Sequence, residues 1–472
     1  MIRQIIRKEL LENLLSLRFM LSLVLVICLF ATSGFVFVNK YKQQTNDYWE
    51  ETNKNLSALS EESKQLYKLA LHKQQVFRKP KPLSLCAEGF EKSLPNYFRF
   101  DTFAIGLPEI EGQTNFMLPH FSDIDWVFII SLIFSFVALV FTYNSICGEK
   151  EAGTLRLMLA GSIPRYKVLI AKYFGVMLTI GIPLFIGLLV SLIIVISSNV
   201  AVFSGLDWLK IVAIIFLSFL YLSLFVLLGM FISSRTGRSA NCMVILLLVW
   251  VGLVILIPSF GRIISDVSRK SPTGIQLERK LSEVAAEAWN NSGKYGERAG
   301  NMSHNLADPM NNPPARARLK NAVTNAQNQV IEDHHNKMLA QVFTGRDFTC
   351  FSPVVIYQRA SEAIAGTGVN HCVSLYQQIK QFQAGFKEYV RSKDSEDPES
   401  LHLINPEIGT ARSWKAISHK PVDFDTVPKF QERDLGLGES LQLAIWDIGL
   451  LALFNLVFFT AAFVSFLKYD VR

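Results

Sequence analysis

Charge is scarce in this chain and unevenly placed. Asp, Glu, Lys and Arg make up only 18% of the 472 residues, against 50% apolar, and mean hydropathy is +0.27. That balance excludes an ordinary soluble globular protein of this length. Six cysteines are too few for a disulfide framework. No basic block with interleaved aromatics occurs, so the net charge of +7 does not mark a nucleic-acid-binding surface. Neither His-Glu-x-x-His nor Cys-x-x-Cys is present, which leaves no metal-ligand signature. No G-x-x-x-x-G-K-[ST] pattern occurs either, and so no loop to cradle the phosphates of ATP. If ATP is used, another chain binds it.

What the chain has instead is long apolar runs. Segments 19–38, 125–146, 173–197, 209–232, 240–261 and 441–467 each approach or exceed the roughly 20 residues a membrane helix needs. Their cores lack Asp, Glu, Lys, Arg and His, apart from Asp447 near one end of the last and Lys210 at the edge of the fourth. Ion-coupled carriers normally hold such residues at membrane depth, so their absence argues against ion coupling. Asn144, Asn241 and Asn455 read as interhelical hydrogen-bonding groups at least as well as substrate contacts. The first run could be a signal peptide cleaved near Ala31-Thr32-Ser33, but it continues through 35–38 and favours a retained span.

Basic residues gather in 1–18, 147–172, 233–239 and 468–472, and the loop 198–208 has none. By the positive-inside rule both termini and the 147–172 loop are cytoplasmic. The polar inserts 39–124 and 262–440 then lie outside. Residues 1–18 read as an amphipathic interfacial helix, with Ile2, Ile6, Leu10, Leu14 and Leu17 on one side and Glu9 on the charged side. The inserts are predicted mainly helical: a charged helical stretch at 47–77, then helices at 275–289, 315–342 and 376–390. All eight histidines fall in the inserts, and His334-His335 beside Glu332 and Asp333 reads as a solvated helix face. Cys86, Cys350 and Cys372 are predicted outside, where one disulfide could form with its pairing open; Cys28, Cys147 and Cys242 read as packing residues.

The most informative stretch is 148–172, GEKEAGTLRLMLAGSIPRYKVLIAK, charged and polar between two apolar runs. Gly153-Thr154 can start a helix, Leu155, Leu157, Met158 and Leu159 offer apolar contacts, and the charges can pair across an interface. In order and spacing, Glu149, Glu151, Gly153, Thr154, Arg156, Pro164, Arg165 and Lys172 resemble the cytoplasmic coupling segment of ABC-2 type transporter permeases. A second stretch, 351–371, FSPVVIYQRASEAIAGTGVNH, is similar to part of the outer insert in a subgroup resembling copper-enzyme maturation permeases. There Ser352 and Pro353 suit a helix start, and Gly366 and Gly368 a stop.

The resemblance implies an all-α membrane protein: six transmembrane helices, an N-terminal interfacial helix and two large, mainly helical extracytoplasmic inserts. It implies a multi-pass permease of a bacterial inner membrane, working as an exporter and having no catalytic, cofactor or metal site of its own. ATP and Mg would be bound by two copies of an ABC ATP-binding subunit, gripping the chain through Glu149, Glu151, Gly153, Thr154, Leu155, Arg156, Leu159, Pro164 and Arg165. A second permease chain, identical or paralogous, and membrane lipid complete the implied partners; no nucleic acid is among them. Two alternatives stay open: a subunit relaying ATP-driven motion to periplasmic partners, and a membrane-anchored enzyme with its site in the inserts.

Overall fold

A computed structural model describes residues 2–89, 97–106, 124–155, 164–260, 274–291, 313–406 and 415–468. In chain order its helices begin with α1 (Ile2–Leu14), α2 (Leu17–Glu62) and α3 (Leu66–Leu71). Next come α4 (Trp126–Glu151), α5 (Arg165–Ser197), α6 (Gly205–Arg235) and α7 (Ser239–Phe260). Then follow α8 (Gly274–Asn290), α9 (Pro313–Phe348), α10 (Pro353–Ala365), α11 (Val369–Ser395) and α12 (Leu437–Leu467). Six of them, α2, α4, α5, α6, α7 and α12, are long and apolar enough to cross a membrane. A lipid interior offers backbone groups no water, so helices that satisfy their own N–H and C=O groups are the expected spanning elements. The protein is an all-α membrane protein.

α6 is the centre of the bundle, with 67% of its most apolar window buried, whereas α7 has only 17% buried and turns its apolar surface outward. Polar side chains bind the spans together where packing alone has little drive in lipid. Trp126 Nε1 donates to Ser191 Oγ at 3.0 Å, Trp250 Nε1 to Ser135 Oγ at 2.8 Å, and Asn455 Nδ2 to the Leu220 carbonyl at 3.0 Å. Gly187 and Gly229 allow close crossings: a Cβ would lie 2.5 Å from Phe30 and 2.0 Å from the Thr142 hydroxyl respectively.

α2 runs 46 residues without a break, about 69 Å at 1.5 Å per residue, and so extends well beyond a bilayer. The predicted helical stretch 47–77 is therefore only partly helix. α2 ends at Glu62, and Gln74–Phe77 (β1) pairs antiparallel with Tyr97–Phe100 (β2), Gln74 opposite Phe100 and Phe77 opposite Tyr97. Each strand buries alternate residues, the pattern of a half-covered sheet.

The larger difference from the sequence reading is α10. It packs against α6 and α12 inside the bundle, with Ile356, Tyr357, Ala360, Ser361 and Ile364 all buried. Tyr357 bonds Ser218 through hydroxyls 2.8 Å apart and stacks on Tyr221 at 4.6 Å. Tyr221 OH in turn donates to the Ser131 carbonyl at 2.8 Å, and Ser352 Oγ donates to the Leu253 carbonyl at 2.7 Å. Both accepting carbonyls belong to π-helical turns, Ile129–Phe134 in α4 and Gly252–Leu256 in α7. Such turns disturb the regular ladder, and α10 supplies or supports the extra donors. Arg359 and Glu362 lower the hydropathy of this stretch and disguise it as surface. Both charges are paired: Arg359 with Asp447 at 3.5 Å and Glu362 with Arg346 at 2.7 Å. Pro353 opens α10 and Gly366 closes it in a left-handed conformation (φ 75°), while Ser352 makes no side-chain cap.

Two smaller cores organise the inserts, one around Leu59, Leu66, Phe386 and Ile417, the other around Val76, Phe98, Phe100 and Ile379. His335 is not on a solvated face: it is buried and stacks on Tyr376 at 3.9 Å, and burial lowers its pKa. All six cysteines are free thiols, so no disulfide joins Cys86, Cys350 and Cys372. Burial pushes the Cys372 thiol up to about 11, which makes it a packing group and a poor nucleophile.

Candidate functional site

The stretch that the sequence singles out forms an elbow where α4 ends and α5 begins. Regular helix in α4 stops at Thr142, a turn occupies 143–146, and Cys147–Glu151 resumes as a short helix. Ser233 of α6 bridges the break. Its hydroxyl oxygen accepts from Ile146 N at 3.2 Å and Cys147 N at 2.9 Å, and its proton goes to the Tyr143 carbonyl at 3.0 Å. Backbone groups freed by the turn are thereby satisfied away from water.

Three charged residues in a row then point to three different helices. Glu149 pairs with Lys172 of α5 at 2.8 Å. Lys150 donates to the Ser234 and Thr236 carbonyls, where a cation also suits the C-terminal end of α6. Glu151 accepts from Ser239 Oγ at the N-terminus of α7, the favourable end for an anion. Two further contacts complete the set. Arg18 of α2 lies over the Tyr143 ring at 5.0 Å, and Arg165, the first residue of α5, donates to the Leu467 carbonyl of α12 at 2.7 Å.

Lys172 is the buried centre of this arrangement. It is 1% exposed and holds Glu9 at 2.5 Å as well as Glu149. The helical pattern of 1–18 put Glu9 on a charged, solvated side; it is instead the one buried residue of α1, facing Lys172. The reason is electrostatic, because an unpaired ammonium in this interior would be very costly. α1 packs along the start of α5, with Asn13 Nδ2 reaching Thr179 Oγ1 at 3.4 Å and Gly175 leaving room for Glu9. The second Glu149 oxygen, Oε2, is buried without a hydrogen-bond partner among the described residues.

The predicted contact residues thus separate into two groups. Glu149 and Leu155 are engaged inside the chain, Leu155 being fully buried in the main core. Glu151, Gly153, Thr154 and Pro164 are exposed, and Arg165 is half-buried. Gly153 takes a left-handed conformation (φ 71°) that ends the short helix, and helix resumes at Thr154. Arg156, Leu157, Met158 and Leu159 lie outside the described residues. Sequence reasoning did not find Glu9 and Ser233. The available signal for Glu9 was Lys172 itself, a lone cation at the mouth of an apolar run that needs a counter-ion.

A family model described as ABC-2 family transporter protein matches residues 3–471. The chain belongs to this family. Among curated proteins no match is found. An ABC-2 family chain is the membrane subunit of a transporter and not its ATPase, and the family implies an ABC ATP-binding partner. The elbow presents both an exposed surface and links to other helices. Its exposed rim, Glu151 to Thr154 and Pro164, is free to be touched, and its inner side chains contact α1, α2, α5, α6, α7 and the neighbourhood of α12.

Proposed function

We propose that this chain is the permease of an ATP-driven exporter, with the elbow and both termini in the cytoplasm and the inserts on the far side of a bacterial inner membrane. The ATP-binding subunits, two per transporter, grip the exposed rim and the following residues 156–164, including Arg156 and Leu159. A second permease chain completes the path, and the outward apolar surface of α7 is available to it and to lipid. Glu149 and Leu155 act from within, holding the elbow's shape. The single observation that supports this reading most is that one short elbow bonds or stacks on every other span, so a displacement there reaches the whole bundle.

Three measurements test it. Single cysteines at Thr154 and Asn325 in a cysteine-free background should label from opposite faces of the membrane; labelling of both from one face ends the topology. Thr154→Arg should then reduce co-purification with the ATP-binding subunit while insertion into the membrane survives. Glu149→Gln should keep assembly and lower transport-linked ATP hydrolysis. Parent-like assembly and coupling in both variants would leave the elbow as a connecting loop only.

A second reading is favoured by α2, an unbroken rod from beside Tyr143 to Glu62 in the insert. In that case the spans relay motion to a partner on the insert side, and nothing passes through the bundle.

A further inference from the structure

The insert holds a pocket of about 460 Å³ between α9, α11 and the strap at 402–404. Its volume is that of a small-molecule site. His402 stands at its edge in a left-handed conformation, φ 55°, which a non-glycine residue adopts only where its surroundings hold it. They do so through Asp394, which is 1% exposed. Asp394 Oδ2 pairs with His402 Nδ1 at 2.9 Å, while Oδ1 accepts from Ser400 Oγ and from Ser418 N, both at 2.7 Å. A carboxylate can only accept here, so Nδ1 carries a proton and the other ring nitrogen, Nε2, is left for the pocket.

Two guanidinium groups, Arg318 and Arg391, also line the pocket. Arg391 pairs with Glu388 at 2.8 Å across a largely solvated surface, and Arg318 makes no ion pair among the described residues. The single lining carboxylate, Asp394, has donors on both oxygens and presents little negative charge to a guest. Asn321 is engaged as well, donating to the Ile404 carbonyl at 2.9 Å and so fastening α9 to the strap. The pocket therefore offers two guanidinium groups, Arg391 shared with Glu388, and a held imidazole.

We infer that this pocket binds a small organic anion through a carboxylate or phosphate group, Arg318 and Arg391 clasping the oxygens and His402 Nε2, the acceptor nitrogen of its Nδ1–H tautomer, taking a hydrogen bond from a hydroxyl of the guest. Guanidinium forks match the planar geometry of such oxygens. The site is remote from the elbow and does not depend on which direction the transporter works.

The test uses the full chain in nanodiscs, titrated calorimetrically with citrate and with inorganic phosphate at constant ionic strength set by chloride. Saturable binding of at least one anion is expected. Arg318→Ala and Arg391→Ala should each weaken it about tenfold, the loss of one charge-assisted contact. His402→Asn keeps a residue that tolerates φ > 0 and can still donate to Asp394, so it should unfold like the parent and yet bind about tenfold more weakly. Arg279→Ala, a solvated charge on α8, controls for simple charge screening and should bind as the parent does. The absence of saturable binding for both anions, or parent-like affinity in Arg318→Ala and Arg391→Ala, overturns the site.

Discussion

The two ends of this molecule solve the same electrostatic problem with opposite stoichiometry. At the elbow one buried cation, Lys172, lies between two carboxylates, Glu9 and Glu149. In the insert one buried carboxylate, Glu432, lies between two donors, Lys81 at 2.7 Å and His371 at 2.8 Å, with Lys81 also pairing with the exposed Asp434. Each cluster joins segments far apart in sequence, and each leaves one carboxylate oxygen, Glu149 Oε2 and Glu432 Oε2, without a bond among the described residues. Buried pairs of this kind add little net stability against a well-packed apolar core, but removing one partner is expensive. They act as registers: the chain packs one way because only that way pairs its buried charges. At the elbow the register fixes α1 against α5 and the short helix that carries Glu149. In the insert it fixes Lys81, the residue before the 3-10 turn Pro82–Leu85, and the start of α11 against the irregular segment before α12.

The largest expected effect comes from breaking the elbow register. Lys172→Met strands two carboxylates and should cost about 3–5 kcal/mol, seen as a lowered Tm in detergent and as protease access to α1. Adding Glu9→Gln and Glu149→Gln should restore most of the loss, since the cost is unpaired charge. If the single variant melts like the parent, the triad is not a register.

Next is the connection between the two ends. Asn46 is exposed on α2 beyond the apolar run, and Asn46→Pro removes a helix hydrogen bond there at a cost of about 3 kcal/mol. Both clusters should survive. If the chain only transports, ATP-linked transport should persist; if it relays motion along α2, ATP hydrolysis should continue while the effect on an insert-side partner is lost.

The smallest effect is a pH dependence confined to the insert. Burial raises the Glu432 pKa, but the hydrogen bond from His371 and the charge and hydrogen bond of Lys81 outweigh it and hold the carboxyl at about 2. The folded value lies below the ordinary 4.5, so this contribution is complete above about pH 4.5 and is lost as pH falls toward about 2. Hydrogen exchange of 369–395 should accelerate over that window in the parent. Glu432→Gln should flatten the profile, and an unchanged profile in that variant would remove Glu432 from the account.

Much of the fold was legible because the membrane makes strong demands on sequence. Six apolar runs appear as six helices, since a backbone in lipid has few alternatives. The helices of the second insert were also visible in composition, α8 spanning Gly274–Asn290 and α9 spanning Pro313–Phe348. The elbow was legible as a position but not as a mechanism. Its charges were read as facing a partner, yet Glu149 faces Lys172 and Lys150 faces the end of α6. A charge in a sequence does not say which neighbour will neutralise it, because that neighbour can be 163 residues away, as Glu9 is from Lys172.

By itself, then, the sequence determined the class, the number of spans and the place of the elbow between α4 and α5, all of which depend on local composition and on the roughly 20-residue length a bilayer requires. Tertiary structure alone decided that α10 enters the bundle, that Glu9 is buried and that His402 is held over a pocket. In each case a polar or charged residue is placed by a distant partner: Arg359 by Asp447, Glu9 by Lys172, His402 by Asp394. Hydropathy reads such residues as surface, whereas pairing lets them be buried, and pairing across long stretches of chain exists only once the chain has folded.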